Sequence, residues 1–235
     1  MKKKGSLNKS NSRSTLAVKH AHDYIKEKVI DFIIPPGEHI NEVELAEALG
    51  MSRAPIREAL NQLYIGGFVT FQSGKGFFCR KFSAKDVADL LELRADLESA
   101  AISHIGNKEA RPDILAIYST WKEVATKHRE MNMDELVNAD EDFHVKLAAL
   151  AGNEERVKIL RNINERVRFI RKIALEKEPR RSNFIGEHLK ICEALMQQDQ
   201  AELIKLLDYH IGINSSQLKP IIHEGLARIY AEEIL

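Results

Sequence analysis

The run Asn41-Glu42-Val43-Glu44-Leu45-Ala46-Glu47-Ala48-Leu49-Gly50-Met51-Ser52-Arg53-Ala54-Pro55-Ile56-Arg57-Glu58-Ala59-Leu60 reads as two short helices joined by a tight turn. Asn41 is a good N-cap, and Glu42 and Glu44 fall in the first turn, where the positive end of the helix dipole favours them. Val43, Leu45, Ala46 and Leu49 form the predicted apolar face, and Gly50 ends the helix. Ser52 is the predicted cap of the second helix. Pro55 lies in its first turn, where a missing backbone donor does no harm. Ile56, Ala59, Leu60 and Leu63 point to a small core, and Gly66-Gly67 closes the segment.

Working outward, Leu16, Val18, Ala21, Ile25, Val29 and Phe32 recur at helical spacing until Pro35-Pro36-Gly37 stops them. Residues 1–14 are rich in Lys, Ser and Asn and are expected to form a disordered basic tail. Downstream, 68–71 and 77–80 read as two strands joined by Ser73-Gly74-Lys75-Gly76. Helix, helix-turn-helix and hairpin in that order predict a winged helix-turn-helix over 15–82. Beyond it the pattern is helical, with segments near 84–106, 112–131, 134–151, 154–177, 183–198, 200–217 and 220–234, broken at Gly106, Pro179 and Pro220 among others. The expected fold is therefore mainly α: an N-terminal winged helix-turn-helix followed by an all-α bundle over 83–235.

Composition agrees with a helical protein. Of 235 residues 44% are hydrophobic but only 6% aromatic, with 12 Gly and 6 Pro, which argues against sandwiches and barrels and against a disordered chain. No uninterrupted apolar run approaches the ~18 residues that a membrane span needs. Lys2, Lys3 and Lys4 are followed by polar residues where a secretion signal has an apolar core. Two cysteines, Cys79 and Cys192, are too few for a disulfide framework, so a reducing cytoplasm is expected. The net charge of zero hides an asymmetry: residues 1–82 carry thirteen basic and eight acidic side chains, +5, leaving −5 for the rest. A basic first third points to a polyanionic partner, and double-stranded DNA fits the helix-turn-helix.

The chemistry of recognition falls at the start of the second short helix. Arg53 and Arg57 are four apart and project from one face, where a guanidinium can grip guanine or clamp a phosphate. Read alone, they are surface residues pairing with Glu44 or Glu58; between a helix pair and a hairpin in the basic third, DNA contact becomes the stronger reading. Gly74 would let the hairpin tip approach a duplex closely, and Lys75 would reach its backbone or minor groove. Because one such module reads only a few bases, a homodimer on paired half-sites is expected.

Residues 36–38 and 41–60 together resemble the signature of the GntR family of bacterial transcription regulators. The run Ser52-Arg53-Ala54-Pro55-Ile56-Arg57-Glu58-Ala59-Leu60 is similar to the branch with a FadR-type C-terminal ligand domain (FCD). The resemblance implies DNA contacts at Ser52, Arg53, Ala54, Arg57 and Gly74. It also implies repression as the commoner behaviour. Val43 departs from the pattern, since family members often carry an arginine there.

In the acidic remainder, Asp140 and His144 lie one turn apart on a single helix, and His188 and His210 fall within apolar patterns on two later helices. Three imidazoles and a carboxylate suit zinc, nickel or a similar divalent ion, although a histidine on a helix face is usually a satisfied or solvated residue. The spacing Asp140-x-x-Phe143-His144, with Glu187-His188 and His210-Ile211, resembles the metal-binding form of the FCD domain and implies the ligand set Asp140, His144, His188 and His210. That form also implies a small organic acid as effector. By the same resemblance, Arg94 faces the acid; its alternative is an ordinary salt bridge to Glu98 at i,i+4.

Enzyme chemistry has little support. Glu141-x-x-His144 has the spacing of a di-iron bundle, but none of the other eight histidines has Glu three positions before it. Phosphate loops, nucleophile elbows and Cys-x-x-Cys are missing. What remains as an alternative is a metal-dependent enzyme acting on a small carboxylic acid with Glu141 or Glu187 as base, the first domain being an interaction module.

Overall fold

A computed structural model describes residues 5–81, 83–105, 111–177, 180–211 and 215–231. The chain divides into two compact units, residues 1–82 with 229–235, and residues 83–228.

In the first unit, α1 (Gly5–Ile30) packs on α3 (Arg53–Ile65). Ala21, Ile25 and Val29, spaced by four, are fully buried, as are Ile56, Ala59, Leu60 and Leu63. Between them α2 (Glu42–Ala48) starts at Asn41, whose Oδ1 accepts the Val43 and Glu44 N–H groups at 3.0 and 3.4 Å. The wing is an antiparallel pair, β1 (Val69–Gln72) and β2 (Gly76–Cys79), in the register Val69 to Cys79 and Gln72 to Gly76. His39 adds a bridge to Phe78 at the other edge of β2.

Several sequence expectations need correction. The first helix begins at Gly5, so the irregular tail expected over 1–14 does not hold from residue 5; residues 1–4 lie outside the described residues. After Gly5 no proline or glycine interrupts the segment, and a helix nucleated by its buried face propagates at little cost. Val43 is 45% exposed. It lies two positions from Leu45, about 200° round the helix, so a two-turn helix that buries Leu45 and Ala46 turns Val43 outward. Strand β1 starts one residue later than expected because Phe68 N–H closes the turn after α3 by donating to Leu63 O at 2.9 Å, and β2 starts and ends one residue earlier than expected.

The second unit is built from α4 (Ala84–Ile102), α5 (Arg111–Lys127), α6 (Met133–Ala149), α7 (Glu154–Leu175), α8 (Arg180–Gln197), α9 (Gln200–Ile211) and α10 (Ser215–Ala231), the last of which runs three residues beyond it. Caps define several of the starts, among them α9, where Asp199 accepts the Glu202 N–H at 3.0 Å. Ser83 accepts from Asp86 N–H, Asn153 from Arg156 N–H, and Asn132 forms a reciprocal box with Glu135. Trp121, Leu136, Leu147, Ile191 and Leu207 anchor a core shared by α5, α6, α8 and α9. Helix α4 packs against α6, α7 and α9. The expected break at Pro220 is not present: Pro220 is the sixth residue of α10. There its missing N–H removes the one i→i−4 bond to Ser216, near the start of the helix, and the turns that follow carry the helix on. The expected breaks at Gly106 and Pro179 lie outside the described residues. Among the described residues, no helix is long and apolar enough to cross a membrane.

Candidate functional site

At the front of α3, Ser52, Arg53, Ala54 and Arg57 are all exposed. Arg53 reaches Glu42, at 3.4 Å, rather than Glu44 or Glu58, and its side chain remains 62% exposed. Ser52 occupies the N-cap position but accepts no capping hydrogen bond. The reason is in the sequence: the third residue of the helix, whose N–H a serine cap prefers, is Pro55, which has none. The first N–H groups of α3 are thus left to an outside acceptor, to which the Ser52 hydroxyl can also donate, and a helix N-terminus of this kind suits phosphate. In the wing, Lys75 N–H donates to Gln72 O at 3.0 Å, closing the loop. Gly74 adopts φ +75° at the exposed tip, where a side chain would be strained.

The second cluster is buried. Asp140 and His144 from α6, His188 from α8 and His210 from α9 are 0–4% exposed, and one ligand atom from each lies within 4.8 Å of all the others. Asp140 Oδ1 is 3.0 Å from His188 Nε2, 3.4 Å from His144 Nε2 and 3.8 Å from His210 Nε2. Metal–ligand bonds of about 2.1 Å set neighbouring ligand atoms about 3.0–3.4 Å apart, so the donor set has the dimensions of a single-ion site.

The far side of each ring is held by an acceptor. His144 Nδ1 donates to Glu98 Oε2, His210 Nδ1 to Glu187 Oε2 at 2.7 Å, and His188 Nδ1 to Phe184 O at 2.8 Å. Ionised carboxylates and carbonyls only accept, so each Nδ1 carries the hydrogen and each Nε2 turns a lone pair to the centre. Burial lowers all three imidazoles: His188 well below its ordinary value, His210 to about 3 against its Glu187 hydrogen bond, and His144 against Glu98. They stay neutral, the form in which imidazole binds metal.

Arg94 makes the i,i+4 salt bridge to Glu98. Its Nε donates to Glu98 Oε1 at 2.8 Å, and it lines a small cavity with Arg171, Phe184 and His210. Burial alone would raise the Glu98 carboxyl, but the Arg94 charge and the hydrogen bonds from His144 and Arg94 outweigh it and hold it below its ordinary value. Because His144 is itself neutral, the Arg94 guanidinium is the charge that keeps Glu98 ionised. Arg171, from α7, pairs with the second oxygen of Asp140. Three carboxylates and two guanidinium groups leave this centre with a net charge of −1, which a divalent cation would turn into +1.

Sequence reasoning missed Arg171 and the bracing carboxylates. Arg171 stands four after Val167 and eight after Ile163 on the apolar face of α7, and a charge in a core position was the readable signal. From the sequence, Glu98 reads as an i,i+4 salt-bridge partner and Glu187 as a candidate base. Glu141, the other base considered, is turned to Arg168 at 2.7 Å.

Residues 17–79 match the profile of bacterial regulatory proteins, gntR family, and residues 89–212 match the FCD domain. The Nta operon transcriptional regulator of Aminobacter aminovorans is 37% identical over 201 residues, 86% of this chain and 94% of that protein. The HTH-type transcriptional regulator YdhC of Bacillus subtilis (strain 168) is 27% identical, over 87% of this chain and 92% of that one. Among solved structures, a transcriptional regulator GntR from Rhodococcus sp. RHA1 superposes with a TM-score of 0.62 at 20% identity, covering 94% of this chain and 98% of the other; that likeness concerns the fold alone.

Proposed function

The chain belongs to the gntR family of bacterial regulatory proteins and carries an FCD domain, and from that premise we propose a repressor that responds to a small organic acid through a divalent metal ion held in its helical unit. It is a DNA-binding transcription regulator and not an enzyme.

For the DNA side, the proposal assigns Arg53 and Arg57 to base edges or phosphates of the major groove, Ser52 and Ala54 to backbone contacts at the helix front, and Gly74 and Lys75 to the wing's approach. For the effector side, it assigns Asp140, His144, His188 and His210 as ligands of zinc or nickel. The single observation that carries this reading is the convergence of three Nε2 lone pairs and one carboxylate oxygen in a buried site with every Nδ1 braced. A metal there would supply positive charge and coordination positions for a carboxylate, and Arg94 and Arg171 would orient the acid by forked hydrogen bonds. The acid changes DNA affinity only if it prefers one arrangement of the protein over another, and a homodimer on paired half-sites supplies two such arrangements.

The test is anisotropy of a labelled duplex from the control region of the neighbouring operon. It is titrated with full-length protein, zinc-loaded or EDTA-treated, with and without a panel of hydroxy acids and sugar acids. The proposal expects tight, salt-sensitive binding that one acid relieves only in the zinc-loaded protein. Relief that is identical after EDTA treatment would remove the metal from the response.

A further inference from the structure

A second cavity, of about 160 Å³, opens between α5 and α6, away from the small cavity that Arg94 lines. Its walls are Ile117, Trp121 and Phe143, all buried, the half-buried Val124 and Ala139, and the exposed Thr120. At its mouth Asp142 and Lys146, both exposed, pair at 3.8 Å. Water held in a cavity needs two to four polar partners; the inner walls offer an indole ring, a phenyl ring and aliphatic groups, and the Thr120 hydroxyl already donates to Ala116 O at 3.0 Å. Apolar cavities of about 150 Å³ hold one benzene-sized ring.

We propose that this cavity is a binding site for a monocyclic phenol. The ring fits the volume and meets aromatic faces. A single hydroxyl satisfies both groups at the mouth, donating to the Asp142 carboxylate and accepting from the Lys146 ammonium. A carboxylate on the ring would meet Asp142 with like charge, and an ammonium would meet Lys146, so a neutral substituent that both donates and accepts is the one selected. The wall residue Trp121 also stacks on His188, with ring centroids 3.8 Å apart and planes at 22°, while its Nε1–H donates to Ile185 O at 3.0 Å. A bound ring therefore touches the side chain that backs one imidazole of the buried cluster.

Trp121 is the only tryptophan in the chain, so its emission reports the site directly. Full-length protein treated with EDTA is titrated with phenol and, separately, with toluene, exciting at the red edge where neither probe absorbs. EDTA treatment makes the result independent of the metal assignment. The expected result is a saturable change in emission with a dissociation constant on the order of millimolar, at least about tenfold tighter for phenol than for toluene. Val124→Phe and Ala139→Leu, which fill the cavity, should weaken phenol by about tenfold or more while leaving DNA binding unchanged. If either variant fails to fold, the phenol-to-toluene ratio in the unaltered protein decides. A linear, unsaturable change, equal affinity for the two probes, or phenol binding undiminished in folded variants would each overturn the proposal. So would concentration-dependent self-association that Val124→Phe abolishes, since the cavity would then be covered by a second copy of the chain.

Discussion

His144 Nε2 and His210 Nε2 face each other at 3.1 Å, on rings stacked at 18° whose opposite nitrogens both donate to carboxylates. Two lone pairs at hydrogen-bond distance with no proton between them repel. The approach makes physical sense only around a positive charge, and Asp140 Oδ1, within 3.4 and 3.8 Å of the same two atoms, completes the cage. The fold holds these groups together through two helices, α6 and α9, so the repulsion is sustained by packing around them.

Metal content follows from that arrangement. Purified protein should carry about one divalent ion per chain, and His188→Ala or His210→Ala should lose it, as read by elemental analysis. Chelation should lower the thermal midpoint and added zinc should restore it; a ligand at about a hundred times its dissociation constant contributes about 2.7 kcal/mol. Equal metal content in all three proteins would contradict the ligand set.

Glu98 is the more discriminating position. Its two oxygens divide their work between His144 Nδ1 and Arg94 Nε. Glu98→Gln keeps the shape but replaces one acceptor with a donor, which turns toward a ring that must donate. Bracing changes of this kind cost about 10–100-fold in metal affinity. Competition against a chromogenic chelator measures it, and an unchanged affinity would mean that the hydrogen bond does not orient the imidazole.

How much of this was legible beforehand depended on range along the chain. Asp140 and His144 are one helical turn apart, so their shared face could be read directly. His188 and His210 were visible only as imidazoles inside apolar patterns, and their convergence needed the family resemblance. Arg171 carries no motif, since a long-range pair with Asp140 leaves no local trace beyond a charge on an apolar face. The misreadings had local causes too. Ser52 looks like a cap until Pro55 is counted as a missing donor, and Pro220 looks like a boundary unless its place early in α10 is known. Val43 looks like core because apolar type was weighed above its angle on a two-turn helix.

The pH response has a definite sign. In the unfolded chain histidine titrates near about 6.5. In the folded chain burial lowers His144, His188 and His210, the last to about 3. Below pH about 6.5 the unfolded state therefore binds more protons, and metal-free protein loses stability continuously as pH falls towards the folded values. Each histidine contributes a slope of up to about 1.4 kcal/mol per pH unit. Urea midpoints of EDTA-treated protein at pH 7.5, 6 and 5 should fall in that order, and His188→Gln should flatten the slope. A profile level across this range would be incompatible with three buried neutral imidazoles.

The DNA face makes predictions that separate reading from anchoring. Arg53 is mostly exposed, and its 3.4 Å pair with Glu42 is a surface contact of the kind worth about 0–1 kcal/mol, so a duplex can take the guanidinium over at little cost. Arg57 lies one turn further on the same exposed face. Arg53→Ala and Arg57→Ala should each weaken operator binding by about 1–3 kcal/mol, up to about a hundredfold, and relax discrimination at particular base pairs, with thermal stability little changed. Lys75→Ala should instead weaken all sequences alike and reduce the dependence of log affinity on log salt by about 0.9, one phosphate's worth. Gly74→Val tests the backbone: at φ +75° a branched side chain strains the wing tip, so the loss should appear in DNA affinity and in the order of the hairpin together. Anisotropy on operator and scrambled duplexes at several salt concentrations distinguishes these cases. If Arg57→Ala lost affinity equally for both duplexes, with the salt slope also reduced, Arg57 would be a phosphate clamp and base reading would have to rest on Arg53.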